Sequence, residues 1–481
     1  MRNRRGIAAV QPRSALIGTL PMRRRAAVWA AAAAMAGMLA SPGPTAAETV
    51  RLTLDQGLIV ARQALLAGNA PLARGLAQGL LQADAQDPYA LLILSAAETE
   101  LGNPLAGRAA GQAAWRAARG GGDGLRYDIA RHTALAALRG GNSLAARLWL
   151  RRALDVAPDA TARADTVTDY RDLSARARLH FSAELSLTPT DNLNDGASSK
   201  YLAIDDWFVL GALSGSAQAL SGLRSDASLR LSYRLAATAQ AQTTLALRLM
   251  TSTALLSAEA KRLAPDLRSA DLNSTKLEGS LTQDFLWPNS QQPISVSLAL
   301  GEGWTAGAVA GPYARLEAAT PLVRSAKFGL LLRASDERHW RRDAQIEATG
   351  LAVEGRHALK GGTLGWGVAL TNVSGSAINQ DYQRAIVSMD YQLGRALGPV
   401  TLAAGVSAGL SRYDSFSLLG AQVTDGRTDR QFGVTLDMTF QDISVMGYAP
   451  KLGLSTTQTR SNISRFEGHG VDVTFGFESQ F

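Results

Sequence analysis

The chain carries two hydrophobic periods. From Leu52 to about Arg178, apolar residues recur at helical spacing in an alanine-rich background. From Leu179 onward they alternate with polar residues, the period of a β-strand with one apolar face. In "TLGWGVALTNV", Leu364, Trp366, Val368 and Leu370 share one parity, and Gly, Ala and Thr share the other. "RQFGVTLDMTF" sets Phe432, Val434 and Leu436 against Thr435 and Asp437, and "SDASLRLSYRL" sets Leu229, Leu231 and Leu235 against Arg230 and Arg234. The polar parity has the composition of a water-filled lumen, with Arg230, Arg234 and Asp437 as candidate lumen residues. The apolar parity suits lipid.

Alternating segments of about ten residues between turns are the signature of a transmembrane β-barrel. Residues 179–481 number 303. At roughly 20–25 residues per strand and connection they predict about 12–15 strands, and the even count of single-chain barrels selects about 14. The chain ends "VDVTFGFESQF", with Val471, Val473, Phe475, Phe477 and Phe481 on one parity. In lipid every backbone polar group must be paired, so this last strand is expected to close on the first, with Phe481 at the membrane interface.

The helical half repeats a phrase: "AGNAPLARGLAQGLL", "LGNPLAGRAAGQAAW" and "GGNSLAARLWLRRAL". Its Gly-Asn pairs sit at 68–69, 102–103 and 141–142. A period near 34 residues points to paired helices of the tetratricopeptide kind, with Gly-Asn as the turn and small residues for close packing. Pro88 and Pro158 follow the second helix of a pair as stops. Such repeats hold extended peptides or other proteins on a concave face.

Charge changes the picture less than its total suggests. The formal net charge is +8, but residues 1–47 hold seven of the 49 Lys+Arg and none of the 41 Asp+Glu. Without them the balance is +1, which removes the case for a nucleic-acid partner. The segment from Met22 has a basic start, an apolar run from Ala26 to Ala40 and small residues before Glu48. That is a secretory signal layout, with cleavage expected after Ala47 and Met22 as an alternative start. The domains are therefore 1–47 signal peptide, 48–178 periplasmic helical repeats and 179–481 outer-membrane barrel. Cysteine is absent, so no disulfide framework or thiolate site exists.

Four short motifs carry a family resemblance. They are "TDNLND" with Asp191, Asn192 and Asn194; Tyr448-Ala449-Pro450; Ser461-Asn462-Ile463; and the terminal Phe481. Arg427 and Asp429–Arg430 precede the last three. In this order, after helical repeats, they resemble the surface lipoprotein assembly modulators, the Slam translocons of type XI secretion. The resemblance implies an outer-membrane protein that moves a client, a surface lipoprotein or a soluble secreted protein often tied to iron or haem capture, from periplasm to surface. It implies further partners: outer-membrane lipid, periplasmic chaperones, and the barrel assembly machinery, whose insertion signal Val473, Phe475, Phe477 and Phe481 resemble. An exopolysaccharide exporter, or a porin with a helical appendage, shares the same outline.

No chemistry stands out, and no cofactor or metal is expected. His132, His180, His339, His357 and His469 form no ligand pair at helical or hairpin spacing, and no G-x-S-x-G marks a nucleophile. "DERHWRRD" (336–343) reads as a polar turn, with a lumen constriction or client contact as the sharper alternative. Asp191, Asn192, Asn194 and Asp195 lack the EF-hand spacing for a cation loop.

Overall fold

The computed structural model describes residues 52–204, 208–287, 292–342, 344–443 and 445–479. The expected signal peptide lies outside them, as do Asp343 and Phe481. The chain divides into two compact units, 1–166 and 167–481.

Among the described residues the first unit is built from α1 (Leu54–Leu66), α2 (Ala70–Ala83), α3 (Pro88–Glu100), α4 (Pro104–Ala117), α5 (Asp123–Arg139) and α6 (Ser143–Asp155). A seventh helix, α7 (Ala160–Arg176), runs across the division. The Gly-Asn pairs explain the helix turns. Gly68, Gly102 and Gly141 adopt φ of 77°, 83° and 75°, the left-handed conformation that ends a helix. The next amide then reaches back: Asn69 N–H donates to Ala64 O at 2.8 Å and Asn142 N–H to Ala137 O at 2.9 Å. Each of these two asparagines also caps the helix it begins, accepting from Leu72 N at 3.2 Å and Ala145 N at 2.9 Å. One dipeptide thus stops one helix and starts the next.

Small residues set the helix spacing. A Cβ on Gly107 would stand 2.2 Å from Thr99 Oγ1, and one on Gly111 2.2 Å from Thr133 Oγ1. Ser95 Oγ donates to Gly107 O at 2.7 Å in that contact. The core is mostly alanine, with Ile129 and Leu154 as its largest fully buried apolar side chains. Pro88 also has a second role. It occupies the first turn of α3, behind the N-cap Asp87, where its missing N–H costs nothing.

The second unit is a closed antiparallel barrel of fourteen strands, as the alternation predicted. They are β1 (Leu179–Thr190), β4 (Gly222–Ala237), β5 (Ala241–Leu256), β6 (Ser274–Leu286), β7 (Pro293–Thr305), β8 (Ala308–Arg324) and β9 (Phe328–Trp340). Then follow β10 (Gln345–Leu359), β11 (Gly362–Gly375), β12 (Tyr382–Leu393), β13 (Val400–Tyr413), β16 (Arg427–Phe440), β17 (Tyr448–Ser461) and β18 (Gly468–Ser479). Short pairs β2 (Tyr201–Ile204) with β3 (Phe208–Ala212), and β14 (Ser417–Leu418) with β15 (Ala421–Gln422), lie in connections. β18 pairs with β1 and closes the ring.

Leu229, Leu231, Leu245, Leu247 and Leu370 are each more than a third exposed, and they share the outward parity. A soluble protein would not leave these rows bare, whereas lipid would cover them. Closure also satisfies the strand edges, which an open sheet in hydrocarbon cannot do. Among the described residues, no helix is long and apolar enough to cross a membrane. An even strand count brings the start of β1 and the end of β18 to one rim, called here the terminal rim. The opposite, loop rim carries the connections 191–221, 257–273, 414–426 and 462–467.

Candidate functional site: the lumen and its loop rim

The inward parity builds a charged wall on β6 and β8–β10. Glu278 is 5 % exposed and accepts from Tyr313 Oη at 2.9 Å and Arg315 Nη2 at 2.9 Å. Arg315 reaches on to Glu337 at 3.6 Å. Arg333 pairs with Glu317 and, at 3.6 Å, with Glu354. His339 stacks on Tyr313 with ring centroids 5.3 Å apart and bonds to Glu337. Gly301 leaves the room that Tyr313 fills, since a Cβ there would stand 2.4 Å from its ring. These carboxylates and guanidinium groups neutralise one another in sequence, which lets so much charge share one wall.

Asp336 to Trp340 therefore belong to β9, and the reading of this segment as a turn is corrected. Its two parities are both polar. Glu337 and His339 join the inner wall, while Arg338 holds Asp336 at 3.3 Å and Glu347 at 3.1 Å. The charge removed the apolar contrast that marks a strand.

A cavity of about 630 Å³ beside this wall is lined by Glu184, Asp226, Ser252, Lys276, Asp437 and Thr474, among others. Asp437, a candidate lumen residue, lies 3.2 Å from Lys451. Arg230 is exposed and stands across from Arg248. Arg234 does different work: at the terminal rim its Nη2 donates to Ala175 O at 2.9 Å, at the end of α7.

The loop rim gathers several of the family-like residues. Asn192 Oδ1 accepts from Gly196 N at 2.8 Å, and its Nδ2 donates to Gly196 O at 3.1 Å and His469 O at 3.2 Å. Asn194 Nδ2 donates to Ser216 O and Gln218 O, and its Oδ1 accepts from Leu220 N. Asp191 Oδ1 accepts from Val471 N at 2.8 Å. These polar groups serve as backbone buckles. Among the described residues, no cluster of three or more His, Asp or Glu could hold a metal ion.

Asn462 bonds to Thr428 N and Gly426 O, and Ile463 is fully buried against Phe416 and Val423, with Leu202 and Ile204 alongside. Arg427 lies at the centre. Its Nε donates to Asp429 at 3.0 Å, and its guanidinium lies 4.5 Å from the Tyr413 ring centre and 3.3 Å from that of Phe466. Arg465 is lowered from its ordinary value by burial, with Arg427 nearby adding repulsion.

Val473, Phe475 and Phe477 lie in β18 with Tyr448-Ala449-Pro450 of β17 alongside its end: Pro450 stands opposite Phe477. Sequence reasoning missed Glu278 and Arg315, while Glu337 fell in the 336–343 segment for which a lumen constriction was the alternative to a turn. Their only signal was charge at positions of inward parity.

No protein-family model matches the chain, and no curated protein matches it. Solved structures similar to it include OmpT, an outer membrane protein of Vibrio cholerae, in a loop L8 deletion mutant. It shows 9 % identity and a TM-score of 0.32 over 63 % of this chain and 99 % of that one. An outer membrane channel from Pseudomonas putida F1 shows 11 % identity and a TM-score of 0.31 over 61 % and 94 %. The type III secretion translocator chaperone SycD of Yersinia enterocolitica shows 16 % identity and a TM-score of 0.24 over 27 % and 88 %. At such scores the barrel assignment rests on the strand pairing alone.

Proposed function

We propose that this chain is an outer-membrane translocon of the Slam kind, which moves a specific partner protein from periplasm to cell surface. The observation that carries this reading is the loop rim. The Asn192–Asn194 loop, the Ser461-Asn462-Ile463 loop and the Arg427–Asp429 pair interlock there, over a barrel whose inner wall is polar. A polar wall with many small residues offers few sticky apolar surfaces to a passing chain. Client choice then falls to the helical repeats, whose stacked pairs suit an extended segment. In this reading the repeats face the periplasm, lipid covers the outward leucines, and the barrel assembly machinery and periplasmic chaperones act during biogenesis. The test is co-expression of a candidate client with the full chain or a chain lacking residues 48–165, followed by protease shaving. Surface exposure should fall about tenfold without the repeats while the folded barrel persists. Equal exposure with or without the barrel removes the reading.

The ion-paired inner wall favours a second reading, an ion-conducting pore. A stable open conductance from purified protein in planar bilayers would support it.

A further inference from the structure

We propose that the outward face of β13, β16 and β17, just below the loop rim, binds the anionic phosphate head of a lipid whose acyl chains lie on the apolar rows beneath. This goes beyond the translocon reading and needs only that lipid covers the outward parity.

That parity is apolar through the middle of the three strands and turns basic at the loop rim. Leu410 of β13, Phe432, Val434 and Leu436 of β16, and Leu454 of β17 are exposed on it. The same parity, followed toward the loop rim, reaches Arg412, Arg430 and Arg460, and all three are exposed. No bulge interrupts the count. β13 pairs with β16 from Val400–Phe440 to Tyr413–Arg427, and β16 with β17 from Thr439–Lys451 to Asp429–Ser461. The three arginines therefore share one face of three adjacent strands.

Register also sets them close together. Arg430 stands directly opposite Arg460, which puts their Cβ atoms about 5 Å apart. Arg412 pairs with Thr428, so it is the diagonal neighbour of Arg430. Like charges placed opposite each other destabilise a sheet. An anion between them reverses the sign of that interaction.

The chain does not bring its own anion to this face. Asp429, the acid adjacent in sequence, lies on the inward parity and holds Arg427. Among the described residues, Arg412, Arg430 and Arg460 form no ion pair. Arg338 shows the alternative. It shares the outward parity of β9 near the same rim, but Asp336 at 3.3 Å and Glu347 at 3.1 Å neutralise it.

Guanidinium suits a phosphate partner, because its planar fork meets two oxygens at once and it is weakly hydrated. Gln383 and Thr428 flank Arg412 on the two neighbouring strands, adding amide and hydroxyl donors at the same depth. The apolar rows identify the occupant as a lipid. Phe432, one step below Arg430 on the same face, is 52 % exposed, and Leu410 is 42 % exposed. A free phosphate would use the arginines and leave these rows bare.

The test titrates the whole protein, in detergent, with four probes and counts bound molecules by native mass spectrometry. The probes are phosphatidic acid, a bis-phosphorylated glycolipid, net-neutral phosphatidylcholine and inorganic phosphate. The protein should prefer the anionic lipids to phosphatidylcholine. At about fivefold per arginine, Arg430→Gln combined with Arg460→Gln should weaken their binding about 25-fold. Lysine at both positions keeps the charge and should keep most of the affinity. Arg338→Gln, whose charge is already paired, should change nothing. Phosphatidylcholine bound alike by every variant shows that the outward face still meets lipid, so a lost preference reports on the arginines alone. The proposal falls if neither anionic lipid is preferred, if the double glutamine variant keeps the preference, or if inorganic phosphate binds as tightly as the lipids.

Discussion

The helical unit and the barrel place the same kinds of residue on opposite sides. In the helices, Ala73, Ala77, Ile129 and Leu154 are buried, and charge lies mostly outside. In the barrel, Leu231, Leu247 and Phe475 face outward and stay more than 40 % exposed, while Glu278 and Asp429 are under 9 % exposed. Burial alone cannot explain both. One region is solvated by water and collapses onto its apolar residues. The other needs apolar solvent outside and carries water and paired charge within.

The largest test of this contrast is a charge on the lipid face. Leu247→Arg, near the middle of β5, should cost the barrel about 2–4 kcal/mol, whereas arginine at lumenal Ser252 should cost far less. Urea unfolding in vesicles reads both. If the two variants are equally stable, the outward parity does not meet lipid.

A smaller effect is expected where the helices pack on missing side chains. Gly107→Val should destabilise the first unit by about 1–3 kcal/mol, because its Cβ would press on Thr99 and on the carbonyl of Ser95. Hydrogen exchange in α3 and α4 should quicken while the barrel keeps its heat-modifiable mobility. Unchanged protection in α3 and α4 would contradict the packing argument.

The smallest effect is acid sensitivity. Burial, with Arg131 adding repulsion, lowers His132 from an ordinary value near 6.5 to about 4. The unfolded chain therefore takes up this proton first as pH falls. The stabilisation is full above pH 6.5 and is lost between 6.5 and about 4, the cost to the helical unit reaching about 2 kcal/mol by pH 5. Exchange in α5 should rise over that window, and His132→Gln should flatten the rise.

Much of this contrast was legible in the sequence. The change of period near Leu179 separated helix from strand, and segment length gave the strand count. Gly-Asn marked the helix turns because only a left-handed residue followed by a capping side chain does both jobs. What stayed hidden was partnership. Glu278 and Arg315 meet across intervening chain because sheet register brings them together, and register is not written in either strand. Asp336–Trp340 escaped because charge on both parities erased the alternation. Asn192 and Asn194 could be read as a distinctive loop, but their work as buckles depends on His469 and Leu220, which only folding brings near.

The central claim is that one parity of the barrel strands faces lipid and the other faces a water-filled lumen. Single cysteines from Leu247 to Ser252, placed in the cysteine-free chain and probed with a membrane-impermeant maleimide in vesicles, test it most directly. The account predicts alternation along β5, with cysteines at Arg248, Met250 and Ser252 labelled quickly and those at Leu247, Leu249 and Thr251 protected. Uniform labelling, or labelling strongest at the leucine positions, would contradict it.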